Sequence, residues 1–163
     1  MIGCSMDAEL KNDLGLTDAN DFHYVKQGGC NKVEGIADEK EWDDLLMAMQ
    51  VLNMTEEEKR DTFRLTSVVA HLGNVEFEVN ESSSSSDASK IAADQSTAHA
   101  VDHIVRLLQC PKEMLSTALT SKKIGAHSVV YVAYTVEQAK ATRDALAKAL
   151  YGSFLLLFLL GRN

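Results

Sequence analysis

Apolar side chains recur along most of this chain at the spacing of helices with one buried face. Trp42, Leu45, Leu46, Met49 and Leu52 fall on one side of a helix predicted over Asp38–Asn53. Asp38 is placed to cap it, and Glu41 stands three residues on, the spacing of a capping box. Thr55 and Glu58 repeat that spacing at the head of a second helix. Its acidic first turn, Glu56–Glu58, suits the positive end of the helix dipole. Leu65, Val68, Val69 and Leu72 form its apolar stripe, and Gly73 is expected to end it in a left-handed cap. Val101, Ile104, Val105 and Leu108 mark a further helix, and Pro111 opens a short one reaching Leu119. A short helix is expected within Asp7–Gly15, and Asp21–Val25 leads into a turn at Gly28–Gly29.

Two stretches follow the period of strands instead. Val75–Val79 alternates apolar and acidic residues, and Ser121–Ile124 and Ser128–Tyr134 flank Gly125 as the arms of a hairpin spanning 121–134. Thr135 with Gln138 then opens a long final helix over 135–160. The fold class is mainly α: a helical bundle with one or two small β-hairpins.

Between strand and helix, Asn80–Ser89 holds a serine run that cannot bury enough apolar surface to order itself, so residues 80–92 are expected to form a mobile surface loop. At the other extreme, Phe154–Leu160 is uniformly apolar. It falls well short of the about 20 residues that span a bilayer, so a buried or interface helix is expected and no membrane span. A chain of 163 residues fits one ordinary domain with a real core. Its formal net charge of −8 excludes generic nucleic-acid binding, which needs clustered Lys and Arg. Cys4, Cys30 and Cys110 are widely spaced with no CxxC pair, a pattern of reduced thiols without a zinc or disulfide framework.

Residues capable of chemistry do not assemble into a catalytic set. His99 and His103 share one helix face, yet Ala100 stands where a zinc-binding HExxH motif needs glutamate, and no third ligand follows. They read as a solvated or partly buried pair. His71 reads as structural, near helix-terminal carbonyls. Glu41, Asp43 and Asp44 form an acidic helix face of an ordinary kind. GGCNKVEG lacks the Lys-Ser/Thr ending and following helix of a phosphate cradle.

Longer wording carries more. TVEQAKATRDALAKALY (135–151) and TFRLTSVVAHLGNVEF (62–77) closely resemble segments of the myosin motor domain, TVEQA…RDALAKALY and FR…AxxLHLGNxxF, in the same order. CSMDAELKNDLGL, DFHYVKQGGC, KVEGIADEKEWDDLLMAMQVLNMTEEEK and RLLQCPKEMLSTALTSKKI resemble further segments of that family, so the likeness covers nearly the whole chain. Family motifs of the kinds GESGAGKT, NxNSSRFGK and DIxGFE do not occur in these residues. The resemblance implies a piece of the larger α/β myosin P-loop motor fold. Within it, the piece is the upper actin-binding subdomain between the first and second switch segments.

From that resemblance follow partners and site residues. They are an actin filament and the remaining segments of the myosin head, in the actin cytoskeleton of the cytoplasm. ATP and Mg²⁺ would be cofactors of the complete motor, with none held by this chain, whose isolated form is expected to be inactive as an ATPase. The 121–134 hairpin resembles the actin-contacting cardiomyopathy loop. Lys122, Lys123, His127, Ser128 and Val130 are its candidate contacts. Ser128 stands sixteen residues before the DALAK segment that starts at Asp144, where the family carries an acidic or phosphorylatable residue. Departures are local: Ala133–Tyr134 replaces the family's Pro-Leu, and YGSFLLLFLLGRN replaces a mixed pattern near YSRLFDWLVxRIN. Two readings stay open, a partial motor head or a non-motor helical module or truncated pseudogene product of myosin ancestry.

Overall fold

The computed structural model describes residues 6–30, 33–83, 87–125 and 129–160, with residues 154–160 as helical backbone only. Among them, in chain order, run α1 (Ala8–Asp13), α2 (His23–Lys26), α3 (Asp38–Val51), α4 (Glu56–Leu72), β1 (Phe77–Val79), β2 (Ser89–Ile91), α5 (Gln95–Leu108), α6 (Lys112–Thr120), β3 (Ser121–Ile124), β4 (Val130–Ala133) and α7 (Val136–Leu160). The strands form two antiparallel pairs, β1 with β2 and β3 with β4. The protein is mainly α with two small hairpins, as the periodicity implies.

Helix α4 is the centre of the bundle. Its Val68 and Leu72 join Val75, Phe77, Val101, Ile104, Leu115, Leu119, Ala139 and Ala147 in one core, walled by α5, α6 and α7. One and a half turns earlier, Phe63 joins Leu14, Leu16, Phe22, Trp42, Met49 and Met54 in a second core beneath α1 and α3. Trp42 lies against Phe63 with ring centroids 5.0 Å apart. A helix that feeds two cores must be apolar on more than one side, and α4 fills its remaining buried positions with Thr62, Ser67 and His71. Their polar atoms are satisfied: the Thr62 hydroxyl donates to the Glu58 carbonyl and the Ser67 hydroxyl to that of Leu14.

Helix ends show which local signals the chain obeys. Thr55 and Glu58 close a reciprocal capping box at the start of α4, and Thr135 and Gln138 exchange the same pair of bonds at the start of α7. Asp38 is not a cap. Ala37 holds that position without a side-chain bond, and Asp38 is the first helical residue, where its charge still meets the dipole. Leu45 and Leu52, expected on the buried face of α3, are 40% and 41% exposed, so the contact surface narrows to Trp42, Leu46 and Met49. The helix stops at Asn53, which takes a left-handed φ of 52° while its N–H donates to Gln50 and that of Met54 to Met49.

Gly73 also differs from expectation. Its φ is −57°, a right-handed value open to any residue. A Cβ there would lie 2.9 Å from the Tyr24 ring, so glycine serves close packing and not backbone freedom. The serine-rich segment is shorter than the 80–92 loop read from composition. Ser89–Ile91 pairs with Phe77–Val79, and Ala88 and Ser89 are buried. Ile91 and Ala88 give the sheet the apolar anchors that a serine-dominated window hides; Ser84–Ser86 lie outside the described residues.

Arg143 ties these parts together. It is 5% exposed on α7, and its guanidinium donates to the Val75 carbonyl at 2.8 Å and to the Asp144 carboxylate at 2.9 Å. Glu76 adds a carboxylate 3.7 Å away and also pairs with Lys140. The Tyr24 hydroxyl donates to the same Asp144 oxygen, and Arg143 lies 5.9 Å from the Tyr24 ring centroid. Burial, then the Asp144 hydrogen bond, push the Tyr24 phenol up to about 12. Partial burial works upward on Asp144, but the bonds from Tyr24 and Arg143 prevail and hold its carboxyl below the usual range. Arg143→Ala is expected to lower the unfolding free energy by roughly 3 kcal/mol, since it strands a buried carbonyl and a carboxylate together. Arg143→Lys should recover only part, because an ammonium lacks the fork that reaches several acceptors. Urea unfolding of the two variants measures both.

Candidate functional site: the exposed hairpin

The β3–β4 ribbon leaves the bundle directly from α6 and returns directly into α7. Its register pairs Ser121 with Ala133, Lys122 with Val132, Lys123 with Tyr131 and Ile124 with Val130. Opposite residues share a face and successive residues alternate. One face therefore carries Lys122, Ile124, Val130 and Val132, and the other Ser121, Lys123, Tyr131 and Ala133. Neither face is covered: Ile124, Val130, Tyr131 and Val132 are 47%, 56%, 58% and 40% exposed. Gly125, at φ 94°, leads β3 into the turn.

The root is fixed to the bundle by backbone hydrogen bonds. Tyr134 donates its N–H to the Thr120 carbonyl and accepts from the Ser89 N–H, both at 2.8 Å, so β2, α6 and the hairpin meet at one residue. The Ser121 hydroxyl donates to the Thr117 carbonyl at 2.8 Å. Of the sequence-predicted contact residues, Lys122 and Val130 share a face and Lys123 lies on the opposite one. His127 and Ser128 lie outside the described residues. Neither Lys122 nor Lys123 forms an ion pair among the described residues, leaving two cations on an apolar ribbon. Sequence reasoning passed over Ile124, Tyr131 and Val132 as contacts, although the β-branched and aromatic run Val129–Val132 was the signal available.

The histidines occupy a different region. The Nε2 atom of buried His71 lies 3.0 Å from the Leu14 carbonyl, at the end of α1 and not at a terminus of its own helix. Its ring stacks on His103 at 4.8 Å and takes the edge of Phe22 at 5.4 Å. His103 in turn covers Gly15, whose φ of 66° and missing Cβ leave room for the imidazole. Arg106 spans His103 Nδ1 and Asp13. His99 and His103 line a cavity of about 690 Å³ with Asp21, Asp94 and Lys26. No group of three or more His, Cys, Asp or Glu that could hold a metal occurs among the described residues. A larger groove of about 1340 Å³ runs between α1, α3 and α4, past Leu10, Trp42, Met47, Arg60 and Phe63.

Burial pushes the His71 imidazole down to about 4, against the upward pull of its bond to Leu14. Burial, with Arg106 and His99 nearby, also lowers His103. A histidine held neutral in the fold contributes stability that is present above its unfolded value near 6.5. That stability is lost as pH falls from there toward 4. The expected loss from His71 is about 3 kcal/mol. Urea-unfolding free energies at pH 7 and pH 4 should differ less for His71→Gln than for the unaltered chain, the difference isolating this group from the carboxylates.

A family model of the myosin head (motor domain) matches residues 1–162. Unconventional myosin-XV of Homo sapiens is 34% identical over 147 residues, covering 90% of this chain and 4% of that protein. Myosin-K heavy chain of Dictyostelium discoideum is 30% identical over 155 residues, 93% of this chain and 17% of the relative. Unconventional myosin-Ic of Gallus gallus is 32% identical over 148 residues, 90% of this chain and 14% of the relative. The chain belongs to the myosin head family, and it spans only 4% to 17% of the length of these relatives. No helix among the described residues is long and apolar enough to cross a membrane.

Proposed function

We propose that this chain supplies a filament-contacting face of a myosin head, with the β3–β4 hairpin docking on actin in the cytoplasmic actin cytoskeleton. The observation that carries the reading is the ribbon itself: two lysines, without an ion pair among the described residues, and four exposed apolar side chains on a stalk hydrogen-bonded to α6 and β2. Actin presents an acidic surface at the level of the family, so Lys122 and Lys123 supply attraction and Val130 with its neighbours supplies apolar contact. His127 and Ser128 belong to the same proposed contact set. The remaining segments of the head are the other partners, and ATP-driven movement is the work of the complete motor. ATP hydrolysis needs phosphate-cradling amides, a Mg²⁺ ligand and a positioned water, and this chain has no phosphate loop to begin that set.

Lys122→Glu with Lys123→Glu, placed in the complete motor, should weaken cosedimentation with actin filaments about tenfold at low salt, with less effect at high salt. Unchanged binding would end the docking reading. Phosphorylation of Ser128 would add about −1.5 to −2 charges within the 121–134 segment, and we propose that it acts by ordering the hairpin through Lys122 or Lys123. Actin-activated phosphate release should then be higher for Ser128→Glu than for Ser128→Ala in the complete motor, and absent for the isolated chain. Equal turnover of the two variants removes the regulatory role, and hydrolysis by the isolated chain removes the division of labour.

A further inference from the structure

The two edges of the exposed ribbon are unlike. The β3 edge strand carries Lys122 and Lys123, one on each face, charges of the kind that keep a sheet edge from pairing with its own copy. The other edge belongs to β4 and carries none. Val129–Ala133 reads Val-Val-Tyr-Val-Ala, nearly the same in either direction, β-branched and aromatic throughout its centre. Among the described residues no further strand lies beyond β4 in its sheet and no backbone hydrogen bond takes that edge between Val130 and Ala133; the Tyr134 carbonyl accepts from Ser89. The chain as a whole, at −8, repels its own copies, but from Met114 to Tyr134 it contains no acidic residue.

We infer that β4 is a self-pairing edge, and that two copies of this chain associate by antiparallel addition of Val129–Ala133 to its twin. The pseudo-palindrome sets the register. A two-fold axis at Tyr131 places Tyr131 against Tyr131, Val130 against Val132, and Val129 against Ala133, an isologous contact. The product is a four-stranded sheet with the lysine-bearing β3 strands outermost, as far apart as the sheet allows. A lone two-stranded ribbon with both faces wet is marginal in water, and doubling the strand number supplies what it lacks. The two-fold keeps faces matched, so Ile124 and Val130 of one copy continue into Val132 of the other as one apolar row. A second copy suits the edge better than an acidic segment, because the cations lie on the far strand and the pairing strand offers none.

The test contains no actin and is therefore independent of the docking reading. Sedimentation equilibrium of the full chain should show a reversible, concentration-dependent dimer. Val130→Lys with Val132→Lys puts lysine against lysine twice across the seam and should raise the dissociation constant about tenfold or more. Both positions are more than a third exposed, so far-UV circular dichroism should be unchanged. A Tyr131→Cys chain should oxidise to a disulfide dimer about tenfold faster than a Lys123→Cys chain, since facing residues in an antiparallel pair lie within disulfide reach. Both chains retain the same native cysteines. A monomer throughout the accessible concentration range, a dimer untouched by the double substitution, or equal oxidation rates would each overturn the inference.

Discussion

The buried guanidinium of Arg143 is the constraint on which the arrangement of this protein depends. An arginine taken out of water is costly unless its donors meet acceptors. Here the acceptors come from separate parts of the chain: the Val75 carbonyl just past α4, Glu76 at the entrance to β1, and Asp144 on α7 itself. Asp144 is in turn fixed by Tyr24 of α2. None of these groups is well placed unless all the elements are in position at once. The planar fork of arginine suits several acceptors in fixed directions, which a lysine ammonium cannot match. The network thus sets the height and rotation of α7 against α4, and Ala139 and Ala147 on either side of it complete the apolar contact.

That placement matters for the hairpin, because only Tyr134 and Thr135 separate β4 from α7. The Thr135–Gln138 capping box starts the helix immediately beyond Tyr134, whose backbone is already held by Thr120 and Ser89. A displacement of α7 would be carried through this short connection to the root of the ribbon. The strands themselves make no such demand on the core. Their side chains are exposed on both faces, so their composition is free to follow contacts made outside the bundle.

Much of the fold was legible because it is local. Thr55 with Glu58 and Thr135 with Gln138 each contain their own explanation within a few residues, whereas the strand expected over Val75–Val79 shrinks to Phe77–Val79, with Val79 49% exposed. What escaped the sequence depends on distant partners. Arg143 lies among Lys140, Asp144 and Lys148, where it reads as one more charge on a solvated face; only the carbonyl 68 positions away explains its burial. Gly73 looks like a helix stop and is instead a seat for Tyr24. Ser89 looks like the end of a serine run and is a strand residue. The His71–His103 stack joins two histidines that no spacing rule brings together. Of the candidate site, the strand pattern and the lysines were readable, whereas the exposure of both faces required the bundle to be seen turning away.

Exposure elsewhere obeys a different logic. Leu45, Met47, Val51 and Leu52 line the outer side of α3 at 40% to 75% exposure, beside the groove along α1 and α4. An apolar helix flank next to an open groove has the form of a surface meant to be covered, yet its charged rim of Asp7, Glu9, Asp43, Lys59 and Arg60 mixes both signs and selects no single partner by charge. The hairpin differs in its bias: one strand carries two lysines and the other is uncharged and nearly palindromic. Chemical bias, and not area alone, separates a surface with a definable partner from one that is merely apolar. By that criterion the ribbon, although small, carries more specific information about contact than the α3 flank does.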